Sequence, residues 1–126
     1  MKILVVDDEM DVKTLFEQHF RKEIRNNEIE FMFAFSGLQA LSYLEEHNHE
    51  AVLILSDINM PGMSGLQLLR SIKESYKSPS PHVMMMTAYN DDDHYSHAIQ
   101  YGADDFLTKP VNFSALKDKL KVLRGS

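Results

Sequence analysis

Five short apolar runs, separated by longer stretches of helical period, constrain this chain more than any other feature. The runs are Ile3–Val6, Ile29–Phe35, Ala51–Leu55, Val83–Met86 and Ala103–Leu107. Four of them are near-continuous, the pattern of strands buried on both faces of a parallel sheet. In the other, Ile29, Phe31, Phe33 and Phe35 alternate with Glu30, Met32 and Ala34, which marks a strand with one less-buried face, at an edge. Between the runs, Val12, Leu15, Phe16, His19, Phe20 and Ile24 form one helical stripe. Ser36 caps a second helix that turns Leu38, Leu41 and Leu44 inward, and Gly65 opens a third carrying Leu66, Leu69 and Ile72. Asp91–Asp93 cap and charge a fourth, which ends near Gly102 with Ala98 and Ile99 inward. Asn112 caps a fifth on Phe113, Leu116, Leu120 and Leu123. Lys117, Lys119 and Lys121 lie mostly off that stripe, toward the end where the helix dipole favours cations.

A β-α unit repeated five times predicts an α/β fold: a parallel sheet covered on both faces, with right-handed crossovers. A chain of 126 residues holds one such domain. Its expected bounds are 1–124, with 125–126 a short tail, native or left over from cloning. Ser78-Pro79-Ser80-Pro81 is the main loop-like insertion, a stiff lead-in to the fourth strand. The 44% hydrophobic and 25% charged fractions are those of a soluble globular protein. Without cysteine there is no disulfide framework and no thiolate metal site. The longest apolar runs have five residues, against about 20 for a membrane span, and Asp7-Asp8 ends the first run too early for a signal peptide. A net charge of −6 argues against direct nucleic-acid binding, which needs a basic face.

In an open parallel sheet, ligands bind outside the carboxyl ends of the strands. The first strand runs into Asp7-Asp8, the third into Asp57, the fourth into Thr87 and the fifth into Lys109. A lone Asp at a strand end is usually a cap or a turn residue. Three carboxylates at one rim are different, because two like charges 4 Å apart repel by about 4 kcal/mol at an effective dielectric of 20. Lys109 supplies one positive charge, and a hard divalent cation held by oxygen would supply two more. Mg²⁺ suits such a site, since it takes one or two carboxylates together with waters and phosphate oxygens. Asp57 is the best nucleophile of the three. It is followed by Ile58-Asn59-Met60-Pro61-Gly62, a turn-rich loop whose carbonyls can reach a metal. Thr87 offers a hydroxyl to a phosphoryl oxygen.

The motifs Val5-Val6-Asp7-Asp8-Glu9, Ser56-Asp57-Ile58-Asn59-Met60-Pro61-Gly62-Met63-Ser64-Gly65, Met86-Thr87-Ala88 and Gly102-Ala103-Asp104-Asp105-Phe106-Leu107-Thr108-Lys109-Pro110 together resemble a response regulator receiver domain of the two-component and phosphorelay family. The resemblance covers essentially the whole chain. It implies a flavodoxin-like doubly wound sheet of order 2-1-3-4-5 and a phosphorylation-activated signalling switch in the cytoplasm, not a turnover enzyme. In that reading Asp57 accepts a phosphoryl group from a phosphohistidine on a histidine kinase or histidine phosphotransfer protein. Asp8 ligates Mg²⁺ directly, Asp7 through water, Asp57 by a side-chain oxygen and Asn59 by its backbone carbonyl. Thr87 and Phe106 form the switch, read out on the face of the fourth helix, fifth strand and fifth helix by an output protein or domain, or by homodimerisation. Many receivers carry Tyr where this chain has Phe106, so its inward state gains no hydrogen bond. Asn59 and Tyr89, each two residues past a site residue, are expected to tune the phosphorylated lifetime.

Other signals carry less. His94 and His97 share a helix face but lack a third ligand, and His47-Asn48-His49 reads as a polar helix end. Asn112-Phe113-Ser114 fits the glycosylation pattern, yet with no secretory leader it reads as a helix cap. Met84-Met85-Met86 is core strand. Two alternatives remain at this level. A Mg²⁺-dependent phosphohydrolase would want a second acid where Asn59 stands, and a capping element for which the chain has no length. A phosphorylation-independent interaction module would have no use for the intact set Asp7, Asp8, Asp57, Thr87 and Lys109.

Overall fold

The protein is described by a computed structural model over residues 1–47, 53–75, 81–88 and 92–123. Its strands are β1 (Lys2–Val6), β2 (Glu30–Ala34), β3 (Leu53–Asp57), β4 (His82–Ala88) and β5 (Asp105–Lys109). The helices are α1 (Asp11–His19), α2 (Arg21–Arg25), α3 (Gly37–Glu46), α4 (Gly65–Ser75), α5 (Asp92–Gln100) and α6 (Phe113–Leu123). All strand pairs are parallel and the order is β2-β1-β3-β4-β5, the flavodoxin-like α/β arrangement expected.

Period-2 alternation sends the two sides of each strand into separate cores. Leu4, Val6, Ile54, Val83 and Met85 pack with Ala40, Leu44, Leu68, Leu69, Ile72 and Ala98 of α3, α4 and α5. Ile3, Val5, Leu53, Leu55, Met84, Met86 and Leu107 pack on the other face with Phe16, Phe20, Leu116 and Leu120. Three strands match the expectation of burial on both sides, since β1, β3 and β4 occupy the middle of the sheet. The alternating second run is indeed an edge. The fifth run is the other edge, as the order 2-1-3-4-5 implies, so its near-continuous apolar character does not bring burial on both sides: Phe106 is half-buried and Thr108 exposed.

The helices differ from the sequence reading in two respects. First, the predicted opening helix is two helices meeting at Phe20, whose backbone (φ −111°, ψ 21°) leaves the helical range. Hydrogen bonds still cross the break, from Phe20 N–H to the Phe16 carbonyl (3.0 Å) and from Ile24 N–H to the Phe20 carbonyl (2.9 Å). The fourth and fifth helices of the sequence reading are therefore α5 and α6. Second, Leu15, Leu38 and Ile99 point largely to solvent. Each adjoins a smaller or better-placed residue that holds the core position: Phe16, Gly37 and Ala98. One residue along a helix is a turn of about 100°, enough to carry a side chain off a narrow buried stripe. Leu123 is likewise partly exposed, at the end of α6.

The tetrapeptide Ser-Gly-Leu-Gln occurs twice, at 36–39 and 64–67, and opens α3 and α4. Gln39 N–H donates to Ser36 Oγ (3.1 Å) and Gln67 N–H to Ser64 Oγ (3.2 Å). The glutamine side chains reach back to the Phe35 and Ser64 backbone N–H groups, closing reciprocal caps. In both copies the glycine is buried where a Cβ would collide: at Gly37 with Met63, and at Gly65 with the backbone of Asp57 and Ile58. The two helix starts thus grip the loop between β3 and α4, which turns at Gly62 (φ 74°).

Candidate functional site

Because all strands are parallel, their carboxyl ends share one rim, and the polar residues gather there. Asp57 and Lys109 are the last residues of β3 and β5, and Asp7 directly follows β1. Asp7, Asp57 and Lys109 each lie two residues past a member of one core (Val5, Leu55, Leu107), so alternation sends them to the same side of the sheet. Lys109 Nζ donates to Asp7 Oδ2 (3.1 Å) and to Asp57 Oδ2 (3.0 Å). Asp7 Oδ1 also accepts from Glu9 N–H (3.0 Å), which folds the chain after β1 back on the carboxylate. Asp7 and Asp57 are buried; Asp8 is exposed. Carboxylate oxygens of Asp7, Asp8 and Asp57 lie within 4.8 Å of one another. Hard oxygen donors this close, with one ammonium against three carboxylates, fit a small divalent cation.

Electrostatics follow from burial. Desolvation, reinforced by the Asp7 charge, raises the Asp57 carboxyl above its ordinary value despite the Lys109 hydrogen bond and charge and the Asn59 backbone N–H. For Lys109, burial pulls the other way, but hydrogen bonds and charge from Asp57 and Asp7 outweigh it and hold the ammonium above its ordinary value.

Thr87 and Phe106 belong to the opposite side of the sheet. Met85 pairs with Phe106 in the β4–β5 register, and Thr87 stands two residues beyond Met85 on the same side. The buried Thr87 is therefore diagonal to Phe106 at the rim, while Phe106 packs against the α3–α5 core. The Phe106 ring meets Tyr95 of α5, centroids 4.3 Å apart. Asn59 is exposed in the loop after β3, and its backbone N–H is among the influences that lower the Asp57 carboxyl. Tyr89 lies outside the described residues. The acid cluster is the one group of potential metal-ligating acids and histidines among the described residues, so His94 and His97 form none. Asn112 Oδ1 accepts from Ala115 N–H (3.1 Å), the capping role expected of it.

Sequence reasoning missed two participants. Ser56, hidden among apolar strand residues, bonds the Asp57 carbonyl (3.0 Å), and a lone hydroxyl in such a strand was the available signal. A cavity of about 800 Å³ opens beside the acid cluster, between α1 and the β5–α6 connection. Val12, Phe16, Met86, Val111 and Phe113 line it, together with Asp7 and Lys109. That groove needs two distant segments side by side and leaves no local sequence trace.

Residues 3–121 match the family model described as the response regulator receiver domain. The chain belongs to that family. An uncharacterized transcriptional regulatory protein, YclJ of Bacillus subtilis (strain 168), is 32% identical over 123 residues, covering 98% of this receiver domain and 50% of the relative. The chain thus spans half the length of that relative. The signal receiver domain of a DNA-binding response regulator protein (merR) from Colwellia psychrerythraea 34H has 25% identity and TM-score 0.83, covering 100% of this chain and 99% of its own. The receiver domain of Saccharomyces cerevisiae Ssk1, solved with the histidine phosphotransfer protein Ypd1, has 26% identity and TM-score 0.81, covering 94% and 85%. Membership makes this a signalling domain of a two-component system rather than a turnover enzyme.

Proposed function

We propose that this receiver domain accepts a phosphoryl group on Asp57 from a phosphohistidine carried by a histidine kinase or histidine phosphotransfer protein. The single observation that carries the reading is the buried Asp57 carboxylate, 3.0 Å from Lys109 Nζ and beside two further carboxylates. An Asp57 oxygen attacks phosphorus in line, the phosphorus–nitrogen bond breaks, and imidazole leaves with the bonding pair. Lys109 is placed to meet charge on the incoming phosphoryl oxygens, and Thr87 to donate its hydroxyl to one of them. In loose phosphoryl-transfer transition states, positioning and charge neutralisation provide most of the catalysis. Asp8, Asp57 and the Asn59 carbonyl would hold Mg²⁺, with Asp7 reached through water; bound there, the ion neutralises phosphoryl charge. Water later cleaves the acyl phosphate, releasing inorganic phosphate and restoring the carboxylate.

Supporting a protein donor, the groove between α1 and α6 opens directly onto this cluster, and a relative of similar fold was solved with a histidine phosphotransfer protein. For the output, the shared side of Thr87 and Phe106 supports a switch in which the hydroxyl moves toward the phosphoryl group and the ring fills the space behind it. The result is a population shift of the α5–β5–α6 face, where Tyr95, Ile99 and Val122 are exposed. An output protein or domain, or a second copy of the chain, would read that face in the cytoplasm.

Incubation with Mg²⁺ and phosphoramidate, followed by intact mass, tests the reading. One phosphoryl group per chain, absent in Asp57→Asn, is expected. Continuous release of phosphate without an adduct would indicate a phosphohydrolase, and no adduct an inert interaction module. Tyr89 is assigned the role of shielding the acyl phosphate from water, so Tyr89→Ala should lose its adduct several-fold faster. An unchanged or slower loss rejects that role.

A further inference from the structure

We infer that Ser56 is a positioning residue for Asp57, acting with Gly65 to clamp the main chain that carries the phosphoacceptor; the inference rests on the reading of Asp57 above. Ser56 is fully buried. Its register partners are Val6 and Met85, its neighbours on the same side of the chain are Ile54 and Ile58, and all four are buried and apolar. A hydroxyl in such surroundings persists only with a partner, and here the partner is the Asp57 carbonyl oxygen at 3.0 Å.

Gly65 explains why that oxygen needs a side-chain donor. The first residue of α4 lies so close over the end of β3 that a Cβ on Gly65 would sit 1.9 Å from the Asp57 oxygen and 2.7 Å from Ile58 Cα. The helix start therefore closes one approach to the carbonyl, and the Ser56 hydroxyl takes another. One residue on, Gly65 N–H donates to the Ile58 carbonyl (2.8 Å). Two successive carbonyls after the Asp57 Cα are thus held, one from the strand and one from the helix. Holding them sets the peptide plane beyond Asp57, and with it the direction in which the carboxylate leaves the backbone on the other side of the sheet. Lys109 grips the carboxylate itself, so the clamp supplies what that contact lacks, a fixed base.

A merely space-filling Ser56 would be replaced by Ala at no cost to chemistry. The test compares wild type with Ser56→Ala, Ser56→Thr, Ser56→Cys and the core control Ile72→Val, each followed for phosphorylation by phosphoramidate with Mg²⁺ and for amide exchange at Gly65. Ser56→Ala should lower the rate at saturating donor roughly three- to tenfold, with the half-saturating donor concentration unchanged, and should speed exchange at Gly65. Ser56→Thr should restore both, and Ser56→Cys, a weaker donor of similar size, should fall between. Ile72→Val should lose stability but keep the rate. A wild-type rate in Ser56→Ala, or an equal slowing in Ile72→Val, overturns the proposal. If wild type takes no phosphoryl group, the Asp57 reading fails, while exchange at Gly65 still decides whether Ser56 holds this seam.

Discussion

At the scale of single residues, the site carries an electrostatic cost that titration exposes. Burial raises the Asp57 carboxyl above its ordinary value of 3.8, so the folded protein holds that proton more tightly than the unfolded chain. Stability from this linkage is complete below the unfolded value and is lost as pH rises through the folded one. Without added metal, Asp57→Asn should therefore melt above wild type at pH 7.5. That advantage should shrink as pH falls through the raised folded value, where wild type regains its proton; thermal melts across pH in EDTA read it directly. The raised Lys109 ammonium contributes stability that is present below 10.5 and lost only as pH rises through its folded value, so it is constant across this window. Asp105 runs the opposite way. Burial opposes its ionisation, but hydrogen bonds from Lys119 and the Phe106 N–H prevail and lower its carboxyl, so its contribution is lost as pH falls through the folded value. It is partly exposed and shared by both proteins, and so cancels in the comparison. Removing the cation instead, in Lys109→Met, leaves Asp7 and Asp57 facing each other. We expect a loss of about 1–3 kcal/mol at pH 7.5 in denaturant melts, smaller at acid pH.

At the scale of elements, the two Ser-Gly-Leu-Gln starts do different work with the same residues. Each serine cap satisfies a helix N-terminus, so Ser36→Ala and Ser64→Ala should each cost about 1 kcal/mol in chemical denaturation. Their glycines should separate far more. Gly37 faces the flexible Met63 side chain, which can give way, whereas Gly65 faces backbone. Gly65→Ala is expected to cost about 3 kcal/mol, at the upper end for overpacking, and Gly37→Ala clearly less. Equal losses would mean that α4 can slide along the sheet. Local patterning does not foresee this distinction, because a glycine's neighbours are invisible until the loop after β3 has folded over α3. The same limit explains Leu38 and Ile99, which fit a helical period yet sit one step around the helix from Gly37 and Ala98.

At the scale of the whole molecule, a cation held by the three carboxylates would couple its binding to folding. A ligand that binds only the folded state stabilises it by about 2.7 kcal/mol at a hundred times its Kd. Mg²⁺ should raise the melting midpoint of wild type by several degrees, and far less in Asp8→Ala, whose carboxylate is exposed and outside the Lys109 pair. An equal rise in both would move the ion elsewhere on this acidic surface.

What the amino-acid sequence determined by itself was the alternation of strands and helices, the parallel sheet that follows from it, and the polar residues at the strand ends. Period and chain geometry are local, and the carboxyl-end rule turns them into a site containing Asp7, Asp57, Thr87 and Lys109. Packing decided the rest. It broke the first helix at Phe20, and put Thr87 with Phe106 on one side of the sheet and Asp7 and Asp57 with Lys109 on the other. It also set Ser56 and Gly65 around the Asp57 carbonyl. Those outcomes depend on distances between segments far apart in the chain, and excluded volume between them is not written in any one segment.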